Sequence, residues 1–348
     1  MKIVERLILD QSLTDDNIAY LRQLGVDQLT VAFLDMGVND PTGRSSLSRL
    51  REGAYYELDD LVALKQWVEA RGMTVAALGL PNFRRWDKVF FGLPGRDEQI
   101  EDLCRTVRNM GRAGIPILQS AWHYNAGAPI PLWRTSIEEG RGGAKITRFE
   151  SALVQGVPPS RYGTLAEEDA WDNFLYFLRA IVPVAEESGV TLTIHPSDPQ
   201  VPAIAGVARI VRSAEAYDRM LAAVPSPALA MTFCLGCFAQ MMEPEAVYRA
   251  IDHFGRQGRI GYVHFRGVQG TPEKFDEVFP DEGKLDMIRT MRALRAAGYA
   301  GLVQPDHAPH VTGDTDYGHA SHAFQIGYLR GVLQAAQTDG DAGRAPGM

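Results

Sequence analysis

Cysteine is scarce in this chain, with three in 348 residues, at positions 104, 234 and 237. Three is odd and too few for a disulfide framework. That excludes the small stapled folds and suits a reducing compartment. Long apolar runs are missing as well. No stretch approaches the ~18 consecutive apolar residues of a membrane-spanning helix. The N-terminal apolar run at 7–9 is too short for a signal-peptide core and is followed at once by acids. A basic excess is also absent: 35 Lys and Arg against 43 Asp and Glu give a net charge of −8. Nothing is spare to neutralise a phosphate backbone, so nucleic acid is disfavoured as a partner. Hydrophobic residues at 45% and charged residues at 22% are ordinary for a globular chain and exclude disordered, collagen-like or coiled-coil proteins. The expectation is a cytoplasmic protein with neither membrane nor nucleic acid as partner.

The length allows about two domains, or one α/β barrel, since these often exceed about 250 residues. Short apolar runs decide between them. Strands are predicted at 6–10, 28–33, 74–78, 116–120, 191–195, 228–233, 260–265 and 301–306. Helices are predicted between them, at 15–24, 58–71, 97–113, 166–188, 214–224, 244–255, 284–297 and 322–336. The helical readings rest on 3.6-residue spacing, as in Leu285, Ile288, Met291 and Leu294. Gly25, Gly72, Gly114, Gly189 and Gly298 each fall between a helix and the next strand, where glycine can take the left-handed conformation that ends a helix. Eight strand–helix units imply parallel strands with right-handed crossovers, and eight closes a barrel. The expected fold is therefore a single (β/α)8 TIM barrel over 1–336 with a tail at 337–348 read as flexible. A long Gly-, Pro- and Arg-rich loop at 122–164 after the fourth strand would lie over the barrel's C-terminal face as a lid or a structureless segment.

In such a barrel the chemistry sits where the strands end. The late strands end in His195, Cys234, His264 and, in a Pro-Asp-His run, Asp306 and His307. Each alone reads as structural: a hydrogen-bonded His, a small buried Cys, a turn-capping Asp. Together at one level of four successive strands they read as a mixed N, S and O ligand set. That set suits Zn²⁺, Mn²⁺, Fe²⁺ or Co²⁺ better than Ca²⁺ or Mg²⁺. Cys234 and Cys237 form a C-x-x-C, but it does not open a thioredoxin-like unit and lacks the second pair of a structural zinc site. Cys234 is read as the ligand and Cys237 as a packing or loop residue. His264 and Arg266 share one face of an extended chain, and Arg suits bidentate carboxylate binding.

The HPSDP run from His195, the strand ending in Cys234, the His264-Phe-Arg266 run and the Pro305-Asp306-His307 run resemble, in order, the signature segments of the mannonate dehydratase family. So do the helix leading to Val190, the GKLDM run from Gly283 and the IGYLRG run from Ile326. The likeness is strong from Trp171 to Leu333 and weaker but collinear from Leu21 to Ser120. The resemblance implies a metal-dependent sugar-acid lyase on a xylose-isomerase-like barrel. It implies that His195, Cys234, His264 and Asp306 hold the metal, usually Mn²⁺, with Fe²⁺, Co²⁺ or Zn²⁺ as alternatives, and that Arg266 and Asp198 lie close to the substrate. The metal would acidify the C2 proton, and a base and an acid would then complete loss of the C3 hydroxyl. His307 is the candidate for one of these roles, or else a residue that orients a ligand.

The sequence departs from that family in three places. Its tyrosine before the last helix is replaced in the Ser321-His322-Ala323-Phe324 run, its His-His-Ile-Pro motif by the run from Ala32 to Met36, and a further histidine by Pro280. Tyr317, His319 or His322 could supply the missing proton transfer. His123, Tyr124, His310 and Trp122 offer other polar and aromatic groups, the first two as substrate contacts and His310 as a catalytic candidate. The leading expectation is a dehydratase acting on a small sugar acid. An isomerase or epimerase on the same barrel and a non-catalytic metal- or sugar-binding protein are the alternatives. Barrel enzymes often form homo-oligomers, which leaves that partner open.

Overall fold

In the computed structural model, residues 1–9, 11–32, 55–79, 86–125, 128 and 130–338 are described. Their strands are β1 (Lys2–Ile8), β2 (Gln28–Ala32), β3 (Thr74–Gly79), β4 (Ile117–Ala121), β5 (Ser136–Glu139), β6 (Lys145–Glu150), β7 (Thr191–His195), β8 (Ala203–Ile204), β9 (Val207–Ala208), β10 (Leu229–Cys234), β11 (Ile260–Phe265), β12 (Gly267–Thr271), β13 (Lys274–Val278) and β14 (Leu302–Pro305). The helices are α1 (Asp15–Gln23), α2 (Leu58–Glu69), α3 (Asp87–Phe91), α4 (Arg96–Ala113), α5 (Glu167–Glu187), α6 (Ala214–Ala223), α7 (Leu235–Met241), α8 (Pro244–Arg256), α9 (Met287–Ala296) and α10 (His319–Thr338).

Strands β1, β2, β3, β4, β7, β10, β11 and β14 close into one barrel, with parallel pairing throughout. This is the (β/α)8 barrel expected from the sequence. Alternation along each strand divides the core in two. Val4, Ala76 and Tyr262 pack together in a small cluster with Leu302. The opposite faces, such as Leu7, Leu29, Leu192 and Val263, pack against the helical layer in one large cluster. Local chemistry sets the helix ends. The Thr14 hydroxyl accepts from the Asn17 amide and Asp286 accepts from Arg289 at the starts of α1 and α9. All five of the glycines noted above have positive φ, between 66° and 87°, so each takes the left-handed conformation that stops its helix.

Among the boundaries that differ from expectation, two have a clear physical reason. β1 starts at Lys2 because Lys2 and Ile3 pair with Leu302 and Val303. Its first half, Lys2-Ile3-Val4-Glu5, has only two apolar residues between charges, so the apolar run at 7–9 alone placed the strand too late; predicted residues 10 and 33 lie outside the described residues. Helix α10 starts at His319, where the Asp314 carboxylate accepts from the Ala320 and Ser321 amides. It runs on to Thr338, so Gln337 and Thr338 belong to the helix rather than to a flexible tail, and 339–348 lie outside the described residues.

The larger correction concerns 122–164. It is not structureless: β5 and β6 form an antiparallel hairpin, and β6 pairs with β13 of a second hairpin, β12–β13, that follows β11. The four strands form one sheet in the order β12-β13-β6-β5. Trp133, Phe149, Val268 and Phe275 give it a core of its own with Val201 and Ile204. Two hairpins that are individually marginal in water become stable by sharing an apolar face.

Candidate metal centre and its ionic neighbour

Strand register brings the first three proposed ligands together. Cys234 pairs with His264 across β10 and β11, and Ala121 pairs with His195 across β4 and β7. Ligand atoms of His195, Cys234 and His264 all lie within 4.8 Å of one another, and the two imidazole rings are 4.9 Å apart. His195 Nδ1 is 2.7 Å from the Pro196 carbonyl oxygen, which can only accept. Nδ1 therefore carries the proton, and Nε2 is left with its lone pair for a metal. Burial holds the His264 imidazole neutral, below the usual histidine range. Burial would also push the Cys234 thiol up, but a hydrogen bond from Cys237, the Arg266 guanidinium and His195 outweigh it and hold the thiol well below its usual range. Cys237 is not a loop residue: it lies in the first turn of α7, fully buried.

Asp306 stands beside this trio. Its Oδ2 is 3.6 Å from His264 Nδ1, and its Oδ1 is 3.5 Å from Arg6 and 3.6 Å from His307 Nε2. Both carboxylate oxygens, and His264 Nδ1, are buried without a hydrogen bond. Arg266 Nη1 lies 3.7 Å from Oδ2, so the charge has cationic neighbours while its lone pairs make no hydrogen bond. Two imidazoles, a thiolate and this carboxylate are a donor set that fits a borderline divalent metal.

Next to the donor set lies a second group of buried charges, and most of its members are satisfied. Arg134 grips Asp198 with both Nη atoms, at 3.0 and 2.9 Å. Its Nη2 also reaches Glu277 Oε1 at 2.5 Å. Arg266 donates to Asp198 Oδ2 at 2.8 Å, to Glu277 Oε1 at 2.6 Å and to Cys237 Sγ at 3.2 Å. Its side chain is 0% exposed, so Arg266 does not present a free fork to solvent. Thr147 donates to the other Glu277 oxygen. Burial pushes the carboxyls of Asp198 and Glu277 up, and Arg134 leads the charges that outweigh it and hold both below the usual range. Gly236 makes the approach possible, since a Cβ there would lie 2.2 Å from Arg266 Nε.

His307 joins the two groups. Its Nδ1 is 2.6 Å from Glu277 Oε1. Arg266 Nη1 lies 2.9 Å from the same Nδ1, so the ring is fixed between an acceptor and a donor, with Nε2 3.6 Å from Asp306 Oδ1. Its φ of 42° is a left-handed conformation that a non-glycine residue adopts only where its surroundings enforce it.

The remaining expected residues lie elsewhere or have other partners. His123 is buried 6.4 Å from the His195 ring. The Tyr124 ring packs with Phe91 and Tyr162, and Trp122 packs among Phe90, Phe174 and Phe177. Trp122 is thus part of the aromatic core, not a loop group offered to a ligand. His310 is exposed, and its backbone forms a two-way bridge with Lys145 of β6. Tyr317 stacks on His322 at 4.8 Å, and His322 faces Glu5 at 3.5 Å. Glu5 alternates with the inward Val4, so this cluster lies on the helix side of β1. The run from Phe33 to Met36 lies outside the described residues. The sequence reading missed Arg134, Glu277 and Arg6. The first two sat in segments read as loop; Arg6 alone carried a signal, a charge at an inward strand position.

The model of the family described as D-mannonate dehydratase (UxuA) matches residues 158–341. The chain belongs to the D-mannonate dehydratase family. Among curated relatives of this family, the mannonate dehydratase of Thermotoga petrophila is 29% identical over 321 residues, 81% of this chain and 87% of its own. Mannonate dehydratase 2 of Halalkalibacterium halodurans is 28% identical, covering 84% of this chain and 92% of its own. The crystal structure of mannonate dehydratase from Streptococcus suis serotype 2 superposes with a TM-score of 0.81 at 26% identity, over 100% of this chain and 97% of that one. An L-ribulose 3-epimerase shares only the fold, at a TM-score of 0.59 and 16% identity. Membership of the D-mannonate dehydratase family makes the protein a lyase, a dehydratase of the sugar-acid class, on a xylose-isomerase-like barrel. None of its described helices is long and apolar enough to cross a membrane.

Proposed function

We propose that this protein dehydrates D-mannonate, or a closely related aldonic acid, to a 2-keto-3-deoxy acid. His195, Cys234, His264 and Asp306 would hold the divalent metal, Mn²⁺ first and Fe²⁺, Co²⁺ or Zn²⁺ in its place. The observation that carries this reading is the trio of donors within 4.8 Å of one another beside a carboxylate with no hydrogen bond of its own. A bound divalent ion supplies Lewis acidity to a carboxylate and its neighbouring hydroxyl, which makes the C2 proton removable.

The chain's own residues supply the rest. His307, its ring fixed at Nδ1 by Glu277 and Arg266, offers its imidazole to take up or return a proton. Loss of the C2 proton and departure of the C3 hydroxyl as water leave an enol, which ketonises to the product. Arg266 and Asp198 line the site as a fixed pair rather than as free ligands, and His123 stands beside His195. Tyr317 and His310 are candidate proton carriers only if the segment 310–319 turns toward the donors. Three unpaired cysteines fit a reducing, cytoplasmic setting.

Purified protein with Mn²⁺ and D-mannonate should release a 2-keto-3-deoxy acid. No such product from mannonate or from a panel of aldonates and uronates would reject the reading. Uptake of solvent deuterium without loss of water would select an isomerase or epimerase instead.

A further inference from the structure

A sugar acid carries a carboxylate into a site whose most deeply placed arginines are already occupied. Arg266 and Arg134 have 0% and 2% of their side chains exposed and are held by Asp198 and Glu277. Arg6 differs from both. Val4 lies in the small inner cluster of the barrel, and Arg6, two residues on, shares its face of β1. Its side chain is 32% exposed, and among the described residues its one charge partner is Asp306, at 3.5 Å. Its guanidinium makes no hydrogen bond among the described residues. The same Asp306 carboxylate lies 3.6 Å from His264.

We infer that Arg6 is the residue that selects for an acid, by pairing with the substrate carboxylate. Asp306 is shared between Arg6 and the donor set, so a ligand that draws Asp306 toward a cation leaves the Arg6 fork uncompensated. An incoming carboxylate restores that balance with charge-assisted, fork-matched hydrogen bonds. Attraction is then local, in a chain whose net charge of −8 repels anions at long range. This inference rests on the sugar-acid reading above.

The test compares D-mannonate with D-mannitol, which has the same carbon skeleton but no carboxylate, on the Mn²⁺-loaded full chain. Calorimetric affinity and steady-state kinetics are measured for wild type, Arg6→Gln and Arg6→Lys, with metal content read by elemental analysis. Arg6→Gln should raise KM and Kd for mannonate roughly 10- to 100-fold. Arg6→Lys, which keeps the charge and loses the fork, should do so by a smaller factor. Mannitol binding and metal content should not change in either. Mannonate affinity within twofold of wild type in a folded, metal-loaded Arg6→Gln overturns the inference. If Arg6→Gln does not fold, unchanged acid-over-alditol preference in Arg6→Lys overturns it. If wild type binds mannonate through Arg6 yet forms no product, the dehydratase reading fails while the inference stands.

Discussion

Two buried polar groups meet at the C-terminal end of this barrel, and they are built in opposite ways. The donor set of His195, Cys234, His264 and Asp306 comes from strand ends of the barrel, and several of its atoms have no partner. The group around Arg134, Asp198, Arg266 and Glu277 draws two of its members from outside the barrel proper, and its carboxylates are tightly paired. Unclaimed buried donors indicate a place that awaits a ligand, because proteins seldom bear that cost otherwise. A paired network indicates preorganisation: it holds side chains where the chemistry needs them and changes little when the ligand arrives.

The contrast can be tested from both sides. The largest effect is expected for His195→Ala, Cys234→Ala or His264→Ala, each of which should abolish activity and metal binding together. Apo His264→Ala should melt closest to the wild-type apoprotein, because its Nδ1 has no hydrogen bond to lose; full metal occupancy in any one of the three would remove that residue from the ligand set. Arg134→Ala should act the other way round, on stability. It leaves two buried carboxylates short of a cation and should cost about 3–5 kcal/mol of unfolding free energy, read by denaturant titration. A loss below about 1 kcal/mol would show that the network is not paired as described.

Glu277→Gln is a finer probe. It keeps the shape and removes the charge that fixes His307. It should lower kcat roughly 10- to 100-fold, with little change in KM or metal content; an unchanged kcat would return Glu277 to a purely structural part. The smallest effect is on pH dependence. Asp198 and Glu277 sit below the usual carboxylate range in the folded protein. Their contribution is therefore complete above their unfolded values, near pH 4, and is lost as pH falls through the folded ones. Removing Arg134 raises both carboxyls, so acid unfolding of Arg134→Ala should begin at higher pH than in wild type. A coincident acid transition would contradict that assignment.

Much of the barrel was legible because its signals are local. The apolar runs, the helical spacing of Leu285 to Leu294 and the glycine after each of five helices need no knowledge of distant contacts. The trio of donors was legible for the same reason: a residue that ends a strand in this architecture has its position fixed by the strand. The small sheet was not legible. In β6 the buried residues are Ile146 and Phe149, three apart, so strict two-residue alternation is broken and the glycines around it point to a loop. Tyr317 shows the converse limit: its segment suggested a catalytic place, and packing set its ring against His322, which faces Glu5.

The sequence alone determined that eight strand–helix units close a barrel and that His195, Cys234 and His264 share its mouth. Tertiary structure decided which charges meet. Arg134 and Asp198 lie 64 residues apart, and Thr147 and Glu277 lie 130 apart. A strand or a helix end is set by residues within a turn or two of itself, whereas a buried charge is stable only beside a partner that the whole chain must fold to deliver. The same reason separates Arg266, which looked like the free arginine in the sequence, from Arg6, which the fold leaves open.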